Sequence, residues 1–201
     1  MDSSADRPTP PSRSNLTLWL ILAVCVFPFI ASVALYLFWR PQSFVNYGEL
    51  LEPVALSGTT LAQRGGDAFR LDDLRGQWVL LTVDAGACDE HCLRKLYWMR
   101  QVRLAQGADQ ERIERVWLVS DAAQPPSEVA AAHTGLRQIA LADPAFLERL
   151  PAAGAVSDHL YVIDPFGNLM MRYPRELDPS KMKKDLSRLL RISKGWRQIP
   201  G

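Results

Sequence analysis

The chain has 201 residues, of which 48% are hydrophobic, and its 23 basic residues nearly balance its 22 acidic ones, giving a net charge of +1. This balance produces no overall electrostatic attraction to nucleic acid or to acidic substrates, so we expect no nucleic-acid partner. Partners must therefore be inferred from local features of the sequence.

The N-terminal region divides into a polar tail and an apolar span. Residues 1–15 are rich in Ser, Pro and charge, a composition typical of a disordered tail. Residues 16–39 carry no charge and a single proline, Pro28. At about 1.5 Å per residue, a helix of this length exceeds the roughly 30 Å hydrocarbon core of a bilayer. We therefore predict a transmembrane helix that contacts membrane lipid over residues 16–39.

Two features indicate how this span is used. Residues 32–34, Ser-Val-Ala, resemble the cleavage site of a secretory signal peptide, but apolar residues 35–39 follow directly, which favours an uncleaved anchor. Arg7 and Arg13 precede the span, whereas Arg40 follows it, so the basic excess predicts an N-terminus in the cytoplasm. We therefore expect the rest of the chain to lie outside the cytoplasmic membrane.

The remaining sequence is long enough for one domain with its own core. Residues 40–53 are interpreted as a juxtamembrane connector, residues 54–195 as the domain and residues 196–201 as a C-terminal tail. The elements predicted in the domain are, in chain order, a buried strand at 78–83, a helix at 90–106, a strand at 116–119, helices at 127–133 and 144–150, hairpin strands at 160–163 and 169–173, and a helix at 179–192. This order predicts an α/β, thioredoxin-like fold, with helices flanking a central sheet.

Two cysteines lie where the first of these strands gives way to a helix, in the segment Cys88-Asp89-Glu90-His91-Cys92. Reactive groups in such sheets gather beyond the carboxyl ends of parallel strands, so the position favours a working site. Cysteines four residues apart on a helix have Cα atoms about 6 Å apart, within the range of a disulfide. The pair could form a structural disulfide, a redox-active disulfide or a clamp for a small soft metal ion.

The charges around the pair act in opposite directions. The N-terminus of a helix stabilises thiolates and lowers their pKa. Asp89 and Glu90 add negative charge, which opposes this effect. A bound monovalent cation would offset the crowding of negative charge, and this slightly favours metal binding over fast thiol exchange.

His159 is a third candidate, because it comes directly before the predicted strand 160–163, which neighbours the start of the first helix in this fold. Two thiolates and one imidazole form a soft site that suits Cu(I) and, with rearrangement, Cu(II). Zinc would need a fourth protein ligand. His91, between the cysteines, is an alternative ligand. The predicted metal ligands are Cys88, Cys92 and His159, and the predicted redox pair is Cys88 and Cys92.

These segments resemble the Sco (SenC) type of cytochrome c oxidase assembly protein, a membrane-anchored thioredoxin-like fold with a CxxxC pair and a distant histidine. The matching pieces are Cys88 to Cys92, Asp158-His159, and the strand and turn from Tyr161 to Gly167, within a likeness over residues 53–192. Leu93 stands where the family usually has proline, which indicates a divergent branch.

The resemblance implies a function and a location. It implies a metallochaperone at the bacterial inner membrane, with a periplasmic domain that binds Cu(I) through Cys88, Cys92 and His159. The implied partner is the copper-centre subunit of cytochrome c oxidase, which receives the copper. Two alternatives are a thiol-disulfide oxidoreductase that keeps the cysteines of that copper site reduced, with no metal cofactor, and a non-catalytic adaptor.

Overall fold

The computed structural model describes residues 15–38, 46–56, 58, 60–63, 68–141 and 143–198. The chain divides into two compact units, one ending at Phe44 and the other beginning at Val45. The predicted tail before residue 15, the first part of the predicted connector (40–45) and residues 199–201 of the predicted C-terminal tail lie outside the described residues.

The first unit contains α1 (Leu16–Phe38), which confirms the predicted helix. Its segment Thr17–Leu35 has a mean hydropathy of 2.6 and is not buried inside the protein. Among the described residues, this is the one helix long and apolar enough to cross a membrane. Cys25 is exposed on it as a free thiol. The side of the membrane that each end faces stays a prediction.

The second unit has the predicted α/β architecture. Its strands are β1 (Glu49–Ala55), β2 (Thr60–Gln63), β3 (Ala68–Arg70), β4 (Trp78–Asp84), β5 (Ile113–Val119), β6 (Leu136–Ala140), β7 (Leu160–Ile163) and β8 (Asn168–Tyr173). Its α-helices are α2 (Glu90–Leu104), α3 (Ser127–Ala132) and α4 (Pro179–Ile192). The predicted helix at 144–150 is a 3-10 helix, Pro144–Arg149.

The strands form one sheet in the order β1-β8-β7-β4-β5-β6-β2-β3. β4 pairs in parallel with β5, which pairs in parallel with β6, while β7 runs antiparallel to β4. Every residue of β4 is buried, as its continuous apolar run predicted for a strand covered on both faces. The carboxyl end of this central strand, Asp84, leads directly into the segment that carries the cysteines.

Each face of the sheet has its own hydrophobic core, because alternate side chains of a strand point to opposite faces. Leu80 of β4 packs in one core with Leu96 of α2 and Leu186 of α4. Leu81 packs in the other, with residues such as Phe146. Helices α2 and α4 cover the first face, and this packing places the start of α2 beside the end of β4.

The strands that were not predicted include β1, β2 and β6, of which β1 and β6 lack a strong apolar pattern. β1 pairs with β8 at the edge of the sheet and its residues are exposed or half-buried, so residues 49–53 of the predicted connector 40–53 belong to the sheet. β6 pairs in parallel with β5 and fully buries only Ile139. The structured unit therefore begins before the predicted residue 54.

A buried carboxylate fixes the entry of the chain into this unit. Asp185 of α4 is only 4% exposed, and its Oδ2 accepts hydrogen bonds from the backbone N–H groups of Tyr47 and Gly48, both at 2.9 Å. Two amides on the approach to β1 are therefore satisfied by one side chain of the last helix.

We predict that Asp185→Ala lowers the free energy of unfolding by about 3 kcal/mol, because one buried and one partly buried amide donor lose a charged acceptor. Urea denaturation followed by circular dichroism measures this change, with the exposed Glu111→Ala as a control. A loss no larger than that of the control would contradict the assigned role of Asp185.

Candidate functional site

A cavity of about 250 Å³ opens at the carboxyl end of β4. It is lined by Asp84, Ala85, Ala87, Cys88, Asp89, His91, Cys92, Ser157, Asp158 and Arg175. These residues come from the β4–α2 connection, the first turn of α2, the approach to β7 and the segment after β8. The cavity therefore lies where the sequence predicted the working site.

Cys88 and Cys92 form a disulfide across this cavity, with Cα atoms 5.1 Å apart. Both residues are largely buried, Cys88 being 6% and Cys92 1% exposed. Of the two, Cys88 precedes the helix and is the more accessible to a partner. The structure thus brings the two predicted cysteines together in the oxidised form.

Local backbone geometry sets the position of the pair. Cys88 has a φ of +48°, a left-handed conformation that costs a non-glycine residue about 1–3 kcal/mol and is concentrated at functional sites. Asp89 then caps α2, because its side chain accepts a hydrogen bond of 2.8 Å from the N–H of Cys92. The second cysteine is therefore held in the first turn of the helix.

The loop before the cysteines is packed too closely for any side chain at Gly86. A Cβ atom there would lie 2.1 Å from the carbonyl oxygen of Ala123. The N–H of Gly86 donates to Asp121 at 2.8 Å, which ties this loop to the one after β5. The backbone around the disulfide is thus supported by the neighbouring parallel strand.

A buried ion pair includes Asp84, which lines the cavity together with the two cysteines. Lys95 Nζ is 2.8 Å from Asp84 Oδ2, and the two side chains are 1% and 6% exposed. Thr82 donates a hydrogen bond of 2.7 Å to the same carboxylate oxygen. Lys95 also donates to the carbonyl oxygen of Ser157, so it links α2, β4 and the approach to β7.

Burial disfavours the charged forms of both partners. Desolvation raises the pKa of Asp84, against the opposing attraction of Lys95. Desolvation likewise lowers the pKa of Lys95, against the attraction of Asp84. A carboxyl group with a raised pKa, lining the same cavity as a disulfide, is suited to take up and return a proton during sulfur chemistry.

Sequence reasoning missed Asp84 and Lys95. Asp84 is the polar end of an otherwise apolar strand, and Lys95 follows Cys92 by three residues, which puts it on the same side of α2. That spacing was the available signal, but a lysine in a helix is usually assigned to solvent.

His91 lines the cavity together with both cysteines. Its Nε2 is buried and has no hydrogen-bond partner among the described residues. His91 was predicted as an alternative metal ligand, and in the structure it lies on the cavity wall.

The side chain of His159 is held by hydrogen bonds on both ring nitrogens. Nδ1 lies 3.0 Å from the carbonyl oxygen of Tyr173, and Nε2 accepts from the N–H of Ala153 at 3.2 Å. The adjacent Asp158, rather than His159, contributes to the lining of the cavity, where it forms an ion pair with Arg175. The role of His159 as a metal ligand stays a prediction.

The fit of a metal ion can be judged from these donors. In the described part of the chain, no group of three or more His, Cys, Asp or Glu side chains is arranged to hold one. The two sulfurs are bonded to each other, and reduction would be needed to release them as soft ligands. Metal binding therefore requires the dithiol form.

We predict that Lys95→Met lowers the free energy of unfolding by about 3–5 kcal/mol near neutral pH, because Asp84 becomes an uncompensated buried charge. Loss of Lys95 also removes an interaction that lowers the pKa of Asp84. A carboxyl whose folded-state pKa lies above its unfolded value is penalised increasingly as pH rises, so the deficit should grow as pH rises above the ordinary carboxyl pKa of about 4.

Urea denaturation at several pH values tests this prediction. The double variant Asp84→Leu/Lys95→Met should recover most of the loss, because it buries no charge. Equal losses in the single and double variants would show that packing, rather than charge, accounts for the effect.

Comparisons with known proteins bear first on the fold. Similar solved structures include ScoI of Bradyrhizobium japonicum with copper bound (TM-score 0.52, 18% identity, 67% of this chain and 99% of that chain). Yeast Sco1 with copper bound is another (TM-score 0.53, 15% identity, 73% and 96%). A third is the thioredoxin domain of a thiol-disulfide oxidoreductase from Bacteroides vulgatus (TM-score 0.52, 14% identity, 70% and 99%). These likenesses confirm the thioredoxin-like fold and the predicted structural resemblance to Sco proteins.

Sequence comparison gives a narrower result. No protein of curated function matches the chain by sequence. A family model described as a transmembrane-like, thioredoxin-like, C-terminal domain matches residues 78–193, which is more than half of the chain and includes β4, both cysteines and α4. The protein therefore belongs to this family of transmembrane-like, thioredoxin-like C-terminal domains.

Proposed function

We propose that this protein is a membrane-anchored thiol-disulfide exchange protein whose Cys88–Cys92 pair cycles between disulfide and dithiol. The observation that carries the proposal is the position of the disulfide, in the wall of a cavity that it shares with the buried, ion-paired Asp84. A bridge that closes so short a loop adds little stability to a fold, so its chemistry is the better explanation for its place.

The reaction begins at the more accessible sulfur. A donor thiolate attacks Cys88 Sγ, the S–S bond breaks, and its electron pair leaves with Cys92 Sγ. A second donor thiolate then attacks the donor sulfur of this mixed disulfide and releases Cys88. The donor pair becomes a disulfide, and two electrons and two protons are transferred to the protein. The reverse sequence oxidises the dithiol and reduces a partner.

Asp84 and Lys95 handle proton transfer in this cycle. The carboxyl of Asp84 gives a proton to the sulfur that leaves and takes it back when the disulfide forms again. Lys95 compensates the carboxylate while it is charged, at a distance of 2.8 Å. The raised pKa of Asp84, caused by desolvation, brings its protonation closer to the working pH.

The apolar helix and the disulfide support a proposal for the location of the protein. We infer that α1 anchors the chain in a bacterial inner membrane, with its N-terminus cytoplasmic and the thioredoxin-like unit periplasmic. The excess of Arg7 and Arg13 before the span supports this orientation. Disulfides persist in oxidising compartments such as the periplasm, which agrees with the bonded state of Cys88 and Cys92.

The partner is inferred from the structural likeness. One similar structure is of BsSco, a protein with a disulfide switch that belongs to the Sco family of cytochrome c oxidase assembly proteins (TM-score 0.52, 14% identity, 71% of this chain and 98% of that chain). On this basis we propose that the dithiol acts in cytochrome c oxidase assembly, on the cysteines of the copper-centre subunit.

Copper binding is a second candidate function, in which Cu(I) is the cargo delivered to the same subunit. Reduction would free two sulfurs whose Cα atoms lie 5.1 Å apart, a soft pair suited to Cu(I). A third ligand from His159 requires its bonds to Ala153 and Tyr173 to be exchanged for copper. His91, which lines the cavity and whose Nε2 has no hydrogen-bond partner among the described residues, is the alternative.

A redox titration tests the first candidate. The full chain, in non-ionic detergent and with Cys25→Ala to remove the other thiol, is equilibrated in glutathione buffers and its free thiols are counted. We expect one two-electron transition in the folded protein, lost in Cys88→Ser. Asp84→Asn should slow reduction by dithiothreitol at least about tenfold, because a proton donor is missing.

The matched control for this titration is Asp158→Asn, which alters another carboxylate of the cavity. Its reduction rate should stay near that of the parent. A disulfide that is reduced only when the protein unfolds would show that the bridge is structural and would contradict the proposed exchange function.

A Cu(I) competition experiment tests the second candidate. The reduced full chain, titrated against a Cu(I) chelator, should bind one equivalent, and His159→Ala should weaken binding by about tenfold or more if His159 is a ligand. The reduction potential of the pair should barely change in the same variant. Loss of affinity in His91→Ala instead would assign the third ligand to His91. If no complex forms, the copper function is excluded and thiol exchange is the remaining candidate.

A further inference from the structure

Arg115 carries a buried positive charge away from the disulfide. It lies in β5, opposite Leu80 of β4. Leu80 precedes Asp84 by four residues, so the two positions are about 13 Å apart along the strand. Its side chain is on the face covered by α2, as are those of Ile113 and Trp117, and the residue is 3% exposed. This position separates Arg115 from the cavity around the cysteines.

The guanidinium group of Arg115 is only partly satisfied. Nη2 donates to the carbonyl oxygen of Thr134 at 2.6 Å. Nε and Nη1 are buried and have no hydrogen-bond partner among the described residues. Buried polar groups of folded proteins are nearly always paired, and an uncompensated buried charge is strongly destabilising. Two unused donors on one buried arginine therefore call for an acceptor.

The charges around Arg115 make the lack of a negatively charged acceptor more costly. Desolvation lowers the pKa of Arg115, and repulsion from Arg103 and Arg100, both on α2, lowers it further. Among the described groups that act on Arg115, Glu114 is the one acid. The carboxylate of Glu114 is engaged with Arg137, at 3.4 Å. The local excess of positive charge is thus left without a counter-ion from the described residues.

His133 adds a further donor at the same place. It is 8% exposed, and its Nδ1 is buried with no partner in the part of the chain that the structure describes. Desolvation, with repulsion from Arg115 and Arg100, lowers the pKa of His133 and keeps the ring neutral. A neutral imidazole with its hydrogen on Nδ1 donates one hydrogen bond.

We propose that Arg115 and His133 form a binding site for a small oxyanion, either phosphate or carboxylate, with Arg100 and Arg103 on its approach. The anion would accept hydrogen bonds from Arg115 Nε or Nη1 and from His133 Nδ1. Charge-assisted bonds of this kind are the ones for which arginine is best suited. Helix α3 ends directly before His133 and contains no fully buried residue, although Val129 is partly buried against the core, so it can be displaced at a modest cost in apolar burial.

Thermal unfolding of the full chain in non-ionic detergent tests the site. Inorganic phosphate, sodium acetate and sodium chloride are compared at constant ionic strength. We expect a saturable rise in Tm with phosphate or acetate that chloride does not reproduce, because binding to the folded state alone stabilises it. A rise with phosphate alone assigns a phosphate site, and a rise with both assigns a general oxyanion site.

Three variants separate binding from charge screening. Arg115→Met should abolish the anion-dependent rise and should not destabilise the protein in chloride, because it removes an unpaired buried charge. Arg100→Gln changes an exposed residue and should require about threefold to fivefold more anion. The control Arg94→Gln removes an equal charge from the same helix, from a residue paired with Glu90, and should behave as the parent.

The outcomes are decisive even if Arg115→Met fails to fold. A larger anion requirement in Arg100→Gln than in Arg94→Gln supports the site. No rise beyond that in chloride, or equal effects of the two glutamine substitutions, would overturn it, since water or general screening would then account for the data.

Discussion

The ammonium group of Lys95 connects the segments that form the cavity. It is buried, so it must find partners, and it takes them from Asp84 at the end of β4 and from Ser157 before β7. Its own helix, α2, carries Cys92 in the first turn. One charged side chain therefore fixes the relative positions of the central strand β4, helix α2 and the segment that leads into β7. The disulfide lies among these three parts of the chain.

Stability alone does not account for this arrangement. A buried ion pair is often no more stabilising than an apolar pair of the same volume, because desolvation offsets the attraction between the charges. The left-handed backbone at Cys88 adds a further cost at the same place. Both the ion pair and the backbone conformation of Cys88 have a use if the disulfide opens and closes. The sulfur that leaves as a thiolate needs a nearby proton, and the attacked sulfur must be accessible and held in position.

The sequence predicted those parts of the structure whose signal is local. The apolar run of β4 and the cysteines that follow it led to the cavity at the end of this strand, because a strand buried on both faces leaves little ambiguity. β1 and β6 bury few side chains, so their pairing depends on distant strands. Lys95 could not be assigned from its helix alone, because its burial depends on Asp84 and Ser157. The hydrogen bonds of His159 likewise involve backbone atoms of other segments, which no motif encodes.

Two buried cations of the same sheet differ in how their charge is balanced. Lys95 has a carboxylate at 2.8 Å, and the pair is neutral as a whole. Arg115 has the carbonyl oxygen of Thr134 at 2.6 Å, and the nearest charges from α2 are also positive. A guanidinium group cannot escape this situation by losing its proton, as a lysine can, because its pKa is far above neutrality. The first cation is therefore balanced by a carboxylate of the chain, whereas the second has no carboxylate partner among the described residues, and this difference is the reason for the anion site that we propose.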